Sequence, residues 1–279
     1  MAEEVTERVS RYILDGSDPD LRRLLSGAEL GAENARTAFR RVGVQPGWNV
    51  IDCGCGPIGG LAVLAEMVGP AGRVVGVDVS PAAVQRARAV VTALELGIVE
   101  VVAGDLHDLD AAALGGPFDL AFSRAFMMHQ ADPVRTLRRI ADLLRPGGWL
   151  VVHEALESPP PRSHPHLEAV ADHWDLVHEV LHRNGVPAGA VEDLPRSARQ
   201  AGLEVTAMRG LFLVEDPEPM FEIYAATVEA VRERGIQLGI AAERIDGLVQ
   251  DLRAAKDGGY EWVTSSFYLD LALRKPAAG

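Results

Sequence analysis

The run "VIDCGCGPIGG" at residues 50–60 decides how this chain is read. Its apolar start, Val50-Ile51, passes into clustered glycines, so a strand meets a tight turn here. Gly54, Gly56 and Gly59 have the G-x-G-x-x-G spacing of a turn that seats a pyrophosphate on a helix N-terminus. Asp52 argues against that ligand. It stands two residues before the first glycine, where a carboxylate would repel the charge of a pyrophosphate. A ligand with an ammonium and a sulfonium, and no phosphate, suits an acidic strand end. The glycines then let the backbone come close to the ligand. A plainer role is also open to Asp52, as a cap on the helix that follows.

Downstream, "LAVLAEMVG" predicts a helix from Leu61 closed by Gly69-Pro70, and "RVVGVDVS" a second strand ending at Asp78. Ser80 is placed to cap the next helix, with Pro81 at its first position. "VEVVAGD" and "FDLAFSR" read as the third and fourth strands. "DPVRTLRRIADLL" reads as a helix stopped by Pro146-Gly147-Gly148, and "WLVVHE" as the fifth strand. Upstream, "RTAFRRVGVQPGW" ends a helix and turns at Pro46-Gly47. This alternation over residues 46–156 argues for an α/β fold, a doubly wound, Rossmann-like, mostly parallel sheet with ligand loops at the strand carboxyl ends. Residues 1–45 read as N-terminal helices, and 157–201 and 215–262 as helical insertions forming a cap. Late strands at 203–214 and 263–276 bring the sheet to seven, in a single domain of 279 residues.

Acids close three successive strands. Asp78, with Val79 beside it, lies 19 residues after Gly59, where a carboxylate can accept both hydroxyls of a ribose. Asp105 ends the third strand. It could accept from an exocyclic adenine amine while the Leu106 N–H donates to a ring nitrogen.

In order and spacing, "VIDCGCGPIGG", "VVGVDVS", "VVAGDL" and "FDLAFSRAFMMHQADPVRTLRRIADLLRPGGWLVVHE" resemble the motifs of class I S-adenosylmethionine (SAM)-dependent methyltransferases. They are similar to the branch that includes quinone-biosynthesis and bacterial natural-product enzymes, and the likeness covers residues 50–154. The resemblance implies SAM as cofactor and S-adenosylhomocysteine (SAH) as product. It implies Gly54 and Gly56 at the methionine portion, Asp78 on the ribose, Asp105 and Leu106 at the adenine, and Ser123 near the methionine or sulfonium end. One departure stands out: the family's third glycine usually comes two residues after the second, and here Ile58 holds that place with Gly59 after it. The implied reaction is methyl transfer to a small, partly apolar metabolite, a secondary-metabolite or quinone-like acceptor. The fold leaves two alternatives: a SAM-binding enzyme that cyclises or rearranges its substrate, or a noncatalytic binding partner.

His129 follows the fourth strand, where it could serve as a general base or order the loop. The stretch "SHPHLEAVADHWDLVHEVLHRNG" carries five histidines. On a helix its apolar stripe is Leu167, Val170, Trp174, Val177 and Leu181, with His166 and His173 along one side and His178 and His182 along the other. His173 and His178 are this segment's candidate bases. His178 and His182 have chelating spacing, but no Glu-x-x-His pattern accompanies them, and no metal is expected. Cys53 and Cys55 imply no disulfide framework and read as small residues of the turn.

Net charge is −13, from 40 acidic and 27 basic residues, with no run of Lys and Arg. That balance disfavours a nucleic-acid partner, because phosphate neutralisation supplies most of such affinity. "MAEEVTERVS" lacks the apolar core of a signal peptide, and no apolar run reaches membrane length. A cytoplasmic enzyme with a small-molecule acceptor and no membrane insertion is the expectation, with a homodimer left open.

Overall fold

The computed structural model describes residues 19–57 and 59–277. The expectations for Ile58 and for "MAEEVTERVS" lie outside these residues. The chain divides into two compact units, one of residues 1–154, 193–209 and 270–279, the other of 155–192 and 210–269.

The first unit opens with helix α1 (Pro19–Val42), whose Ala35, Phe39 and Val42 are buried at helical spacing. Then come β1 (Asn49–Cys53), α2 (Leu61–Val68), β2 (Arg73–Asp78), α3 (Pro81–Ala93), β3 (Val99–Ala103), β4 (Phe118–Arg124), α4 (Pro133–Leu143) and β5 (Leu144–Ala155). After β6 (Ser163–His164) and α5 (Glu168–Arg183) of the second unit, the chain returns with α6 (Leu194–Gln200) and β7 (Glu204–Leu211). The second unit resumes with β8 (Val214–Glu215), α7 (Pro217–Gln237), α8 (Ala242–Ala254) and β9 (Trp262–Thr264), and β10 (Tyr268–Arg274) leads back to the sheet.

The main sheet has seven strands in the order β3-β2-β1-β4-β5-β10-β7. The pairs β1–β2, β1–β4, β2–β3 and β4–β5 are parallel. β10 runs against β5: the Lys275 N–H donates to the Gly148 carbonyl, and the Leu156 N–H to Phe267 at the other end. Chain order reverses between β1 and β4, with β2 and β3 on one side and β4 and β5 on the other. Such a switch point opens a crevice at the strand carboxyl ends. The central strands read as continuous apolar runs because helices cover both faces. Phe39 of α1 meets Phe122 of β4 edge to face at 5.1 Å.

The start of α3 follows the expected chemistry, and α4 starts in the same way. Ser80 Oγ accepts the Ala83 N–H at 3.3 Å with Pro81 next, and Asp132 accepts the Arg135 N–H at 2.9 Å with Pro133 next. One boundary differs from the sequence reading. The helix before "WLVVHE" ends at Leu143, and strand β5 begins at once and runs through Pro146-Gly147-Gly148. Its pairing shifts register between the partners of Phe118 and Leu120, so the Pro-Gly-Gly segment is absorbed as an irregularity inside the strand.

In the second unit α5, α7 and α8 pack around Val170, Val180, Phe221, Val228, Ile245 and Leu252. Gly235 of α7 permits the close approach: a Cβ there would lie 3.2 Å from Ile245 and 3.3 Å from Val180. A three-stranded sheet, β6-β9-β8, escapes the sequence reading because two of its strands are two residues long. The 157–201 insertion also divides differently: α6 belongs to the first unit, where the Arg138 guanidinium of α4 donates to its Gln200 carbonyl at 3.0 Å. No described helix is long and apolar enough to cross a membrane.

Candidate active site

A cleft of about 470 Å³ lies at the carboxyl ends of β1 to β4, wholly within the first unit. That is the scale of a small-molecule site. Its floor is the glycine turn. Gly54 has φ +72°, and a Cβ on it would fall 2.2 Å from the Phe126 ring, so only glycine fits. Gly56, at φ +56°, has no atom of the described residues within 4 Å of a Cβ position. Its backbone therefore has open space for a ligand to approach.

Asp78 fastens this turn to the end of β2. One carboxylate oxygen accepts the Gly56 N–H at 2.8 Å, and the other accepts the Ser80 N–H at 2.8 Å. Val79 beside it is 70% exposed and lines the cleft. At the next strand end Asp105 accepts the His107 N–H at 2.8 Å, which fixes the loop that carries Leu106 into the wall.

Asp52 takes the plainer role considered for it, at the start of α2. Its buried carboxylate accepts the Gly60 N–H at 2.7 Å, at the start of α2, and it also lines the cleft. Burial pushes its pKa up to about 6, opposed by the Gly60 N–H and the nearby Arg124 guanidinium.

The opposite wall follows β4. Arg124 lines the cleft and donates from Nη2 to the Gly59 carbonyl at 3.1 Å. Phe126 and the short 3-10 turn Met127–His129 come next. Glu154, the buried last acid of β5, gathers the N–H groups of Phe126, Met127 and Met128 at 2.9, 2.8 and 3.3 Å. Desolvation raises its pKa to about 7 despite those donors. The Thr136 hydroxyl bridges Gln130 Oε1 at 3.1 Å and His107 Nε2 at 3.2 Å, tying the β3 loop to the β4 loop.

Of the residues singled out from sequence, Asp52, Gly54, Gly56, Asp78, Val79, Asp105, Leu106 and His129 all line this one cleft. Ser123 does not. It is fully buried on β4, and its hydroxyl has no hydrogen-bond partner among the described residues. His173 and His178 lie on α5 of the second unit and are absent from the cleft wall. His173 is buried, bonded through Nδ1 to the Val170 carbonyl and stacked on Tyr224 with centroids 4.1 Å apart. Burial lowers its pKa to about 3. His178 Nδ1 meets the Trp174 carbonyl at 2.9 Å, and burial lowers its pKa too. Both cysteines are buried, with thiol pKa values pushed above the usual range by desolvation.

Sequence reasoning missed Arg124, Phe126, His107, Gln130 and Glu154. Glu154 had a visible signal, an acid closing the apolar run "WLVVHE". The other miss is a buried pair, His153 Nδ1 with Asp270, which joins β5 to β10 across 117 residues of chain.

The methyltransferase-domain family model matches residues 45–222. A protein of a Streptomyces fradiae transposon is 33% identical over 203 residues, covering 71% of this chain, which spans only 56% of that protein's length. A ubiquinone biosynthesis O-methyltransferase of Bordetella pertussis is 31% identical over 66% of this chain and 71% of its own. A trans-aconitate 2-methyltransferase of Azoarcus is 30% identical over 87% of each chain. Among solved structures, the cyclase SpnF superposes with a TM-score of 0.58 at 19% identity, over 90% of this chain and 83% of that one. Geranyl diphosphate C-methyltransferase of Streptomyces coelicolor superposes with 0.54 at 14% identity, over 88% and 80%. At those identities the likeness to these structures is one of fold.

Proposed function

This chain belongs to the class I SAM-dependent methyltransferases, and on that premise we propose that it methylates a small, partly apolar metabolite of secondary-metabolite or quinone-like character. The observation that carries the reading is the cleft itself, where three strand-end acids and an open glycine turn converge. They fit SAM and not a dinucleotide. Acids suit a ligand bearing ammonium and sulfonium charges, and the exposed Val79 offers an apolar contact for an adenine face. In this reading Asp78 takes the ribose hydroxyls, Asp105 and the Leu106 N–H take the adenine edge, and Gly54 and Gly56 admit the methionine portion.

When bound, SAM supplies an electrophilic methyl group. The protein's own work is to hold that group in line with a nucleophile and keep water away, for which effective molarity provides much of the rate. Glu154 holds the Phe126–Met128 backbone in place beside the cleft, through three accepted hydrogen bonds. A base is needed only for an acceptor that binds protonated. Among the three candidate histidines we favour His129, because it is a residue of the cleft wall while His173 and His178 are bound to carbonyls of their own helix. Acceptor preference is assigned to the second unit, where Phe212 stacks on Phe267 at 4.8 Å yet is half exposed. The names of the relatives, a ubiquinone-pathway and a trans-aconitate enzyme among them, support a small-molecule acceptor.

The test is incubation with labelled SAM and a metabolite extract, followed by mass analysis. The reading expects a product heavier by one methyl group, together with SAH. A product of unchanged mass with SAM unconsumed would overturn methylation in favour of a SAM-assisted rearrangement. Were methylation found, His129→Ala would be expected to slow it about 10²- to 10⁴-fold at unchanged SAM affinity if His129 is the base.

A further inference from the structure

We infer that Thr136 is a positioning residue through which a cofactor held on one side of the cleft steadies the loop that carries His129 on the other. The inference rests on the cofactor reading above. Thr136 lies on α4, is 1% exposed and is not a residue of the cleft wall. It is the one polar residue among the buried residues of α4, beside Leu137, Ile140, Ala141 and Leu143. A valine has nearly the same shape and would bury there with no hydroxyl to satisfy. The hydroxyl is explained by its partners, which come from two loops. His107 Nε2 lies 3.2 Å away, in the loop after β3, and Gln130 Oε1 lies 3.1 Å away, in the loop after β4. Both of those residues line the cleft.

The direction of these bonds follows from what each atom can do. Gln130 Nε2 donates to the Phe126 carbonyl at 3.1 Å, so Oε1 is the end that meets Thr136. That oxygen can only accept, and so can the Asp132 carbonyl, 3.2 Å from the same hydroxyl. The single hydroxyl proton of Thr136 is taken on that side, and His107 Nε2 must supply the proton of the remaining bond. A one-way chain results, from His107 through Thr136 and Gln130 to the Phe126 carbonyl, in which each bond polarises the next. Both ends are anchored. On the cofactor side Asp105 accepts the His107 N–H at 2.8 Å. Arg139, one turn beyond Thr136 on α4, donates to the Leu106 carbonyl at 2.7 Å and to that of Leu109. On the far side the Phe126 carbonyl also accepts the His129 N–H at 3.1 Å, and the N–H groups of Phe126, Met127 and Met128 are held by Glu154. A ligand that takes Asp105 and the Leu106 N–H therefore loads one end of the chain, and the other end is the turn that leads to His129.

The experiment is amide hydrogen exchange of the full chain, free and with SAH, alongside calorimetric titration with SAH. Each protein receives SAH at the same multiple of its own dissociation constant. In the wild type SAH is expected to slow exchange at Phe126, Met127 and Met128. In Thr136→Val that slowing should shrink about 2- to 10-fold, the span of one neutral hydrogen bond. SAH affinity should fall by up to the same factor, because coupling is reciprocal. Thr136→Ser, which keeps the hydroxyl, should restore both. A purely structural role would speed exchange in the free protein and leave the SAH-dependent step unchanged; that result in a folded Thr136→Val would overturn the inference. So would a Thr136→Ser that behaves like the valine variant. Should Thr136→Val fail to fold, Gln130→Leu, at a half-buried position, cuts the same chain one bond further on and should show the same loss, and an undiminished step there would overturn the inference. Wild-type protein that binds SAH without slowing these three amides would overturn it with no variant at all. Wild-type protein that does not bind SAH would overturn the cofactor reading, and this inference with it.

Discussion

At Asp78 both carboxylate oxygens already hold a backbone N–H, from Gly56 and Ser80, at 2.8 Å each. Each oxygen keeps a second acceptor site, so ribose hydroxyls can join without displacing the turn. Asp78→Ala is expected to weaken SAH binding by about 1.5–3 kcal/mol, read by calorimetry, since hydrogen bonds to an ionised group are lost. Undiminished affinity in a folded variant would remove Asp78 from the site. Asp52 adds a pH dependence. Its pKa is raised to about 6, so its neutral form prevails in the free protein at lower pH. A cationic ligand favours the carboxylate, so SAM affinity should rise with pH up to about 6 and level off above it. Asp52→Asn should flatten that profile; a variant with the wild-type slope would place the titration elsewhere. These two acids could be found from sequence because each ends a strand beside a turn signal. Arg124 could not, because one-residue alternation decides whether it or Ser123 faces the cleft, and that depends on which sheet face the helices cover.

Among the elements, the 3-10 turn Met127–His129 depends on a residue from another strand. Three of its N–H groups, counting Phe126, find their acceptor in Glu154 of β5. Burial raises the Glu154 pKa above its unfolded value of 4.5 to about 7, so the folded state binds the extra proton between those values. The contribution to stability is full below about 4.5 and is lost as pH rises through 7, amounting to about 3 kcal/mol at most. Chemical denaturation between pH 4.5 and 7.5 should show this fall against the rest of the titration. Glu154→Gln should make it smaller, and an unchanged slope would mean that Glu154 does not titrate in that range. Glu154→Ala withdraws the acceptor from three N–H groups and should destabilise by roughly 3 kcal/mol or more. The cap of α3 was legible, since Ser80-Pro81 carries its signal within two residues. The start of β5 was not, because Pro146-Gly147-Gly148 reads locally as a stop and pairs only once β4 and β10 stand on either side.

For the molecule as a whole, the cleft is built entirely within the first unit, from loops that leave β1, β2, β3 and β4. Ligand binding should therefore stabilise the fold by linkage. SAH at 100 times its dissociation constant is expected to add about 2.7 kcal/mol, seen as a higher melting temperature, and NAD to add nothing. A shift with NAD and none with SAH would contradict the acid-rim argument. The parallel core was determined by sequence alone, because apolar strand runs, turn glycines and Ser-Pro or Asp-Pro caps act within a few residues of each other. The three acids at strand ends followed from the same local signals. The tertiary structure alone decided what long-range pairing controls: that Glu154 reaches back to the Phe126 loop, that His153 meets Asp270 across 117 residues, and that α6 joins the first unit. It also decided what His173 and His178 touch within their own unit. His173 and His178 flank an apolar stripe, one on each side, as alternative candidates for a base, but helical periodicity gives only a direction around the axis. The packing of Tyr224 and Trp174 against their rings depends on how the helix is folded into its unit.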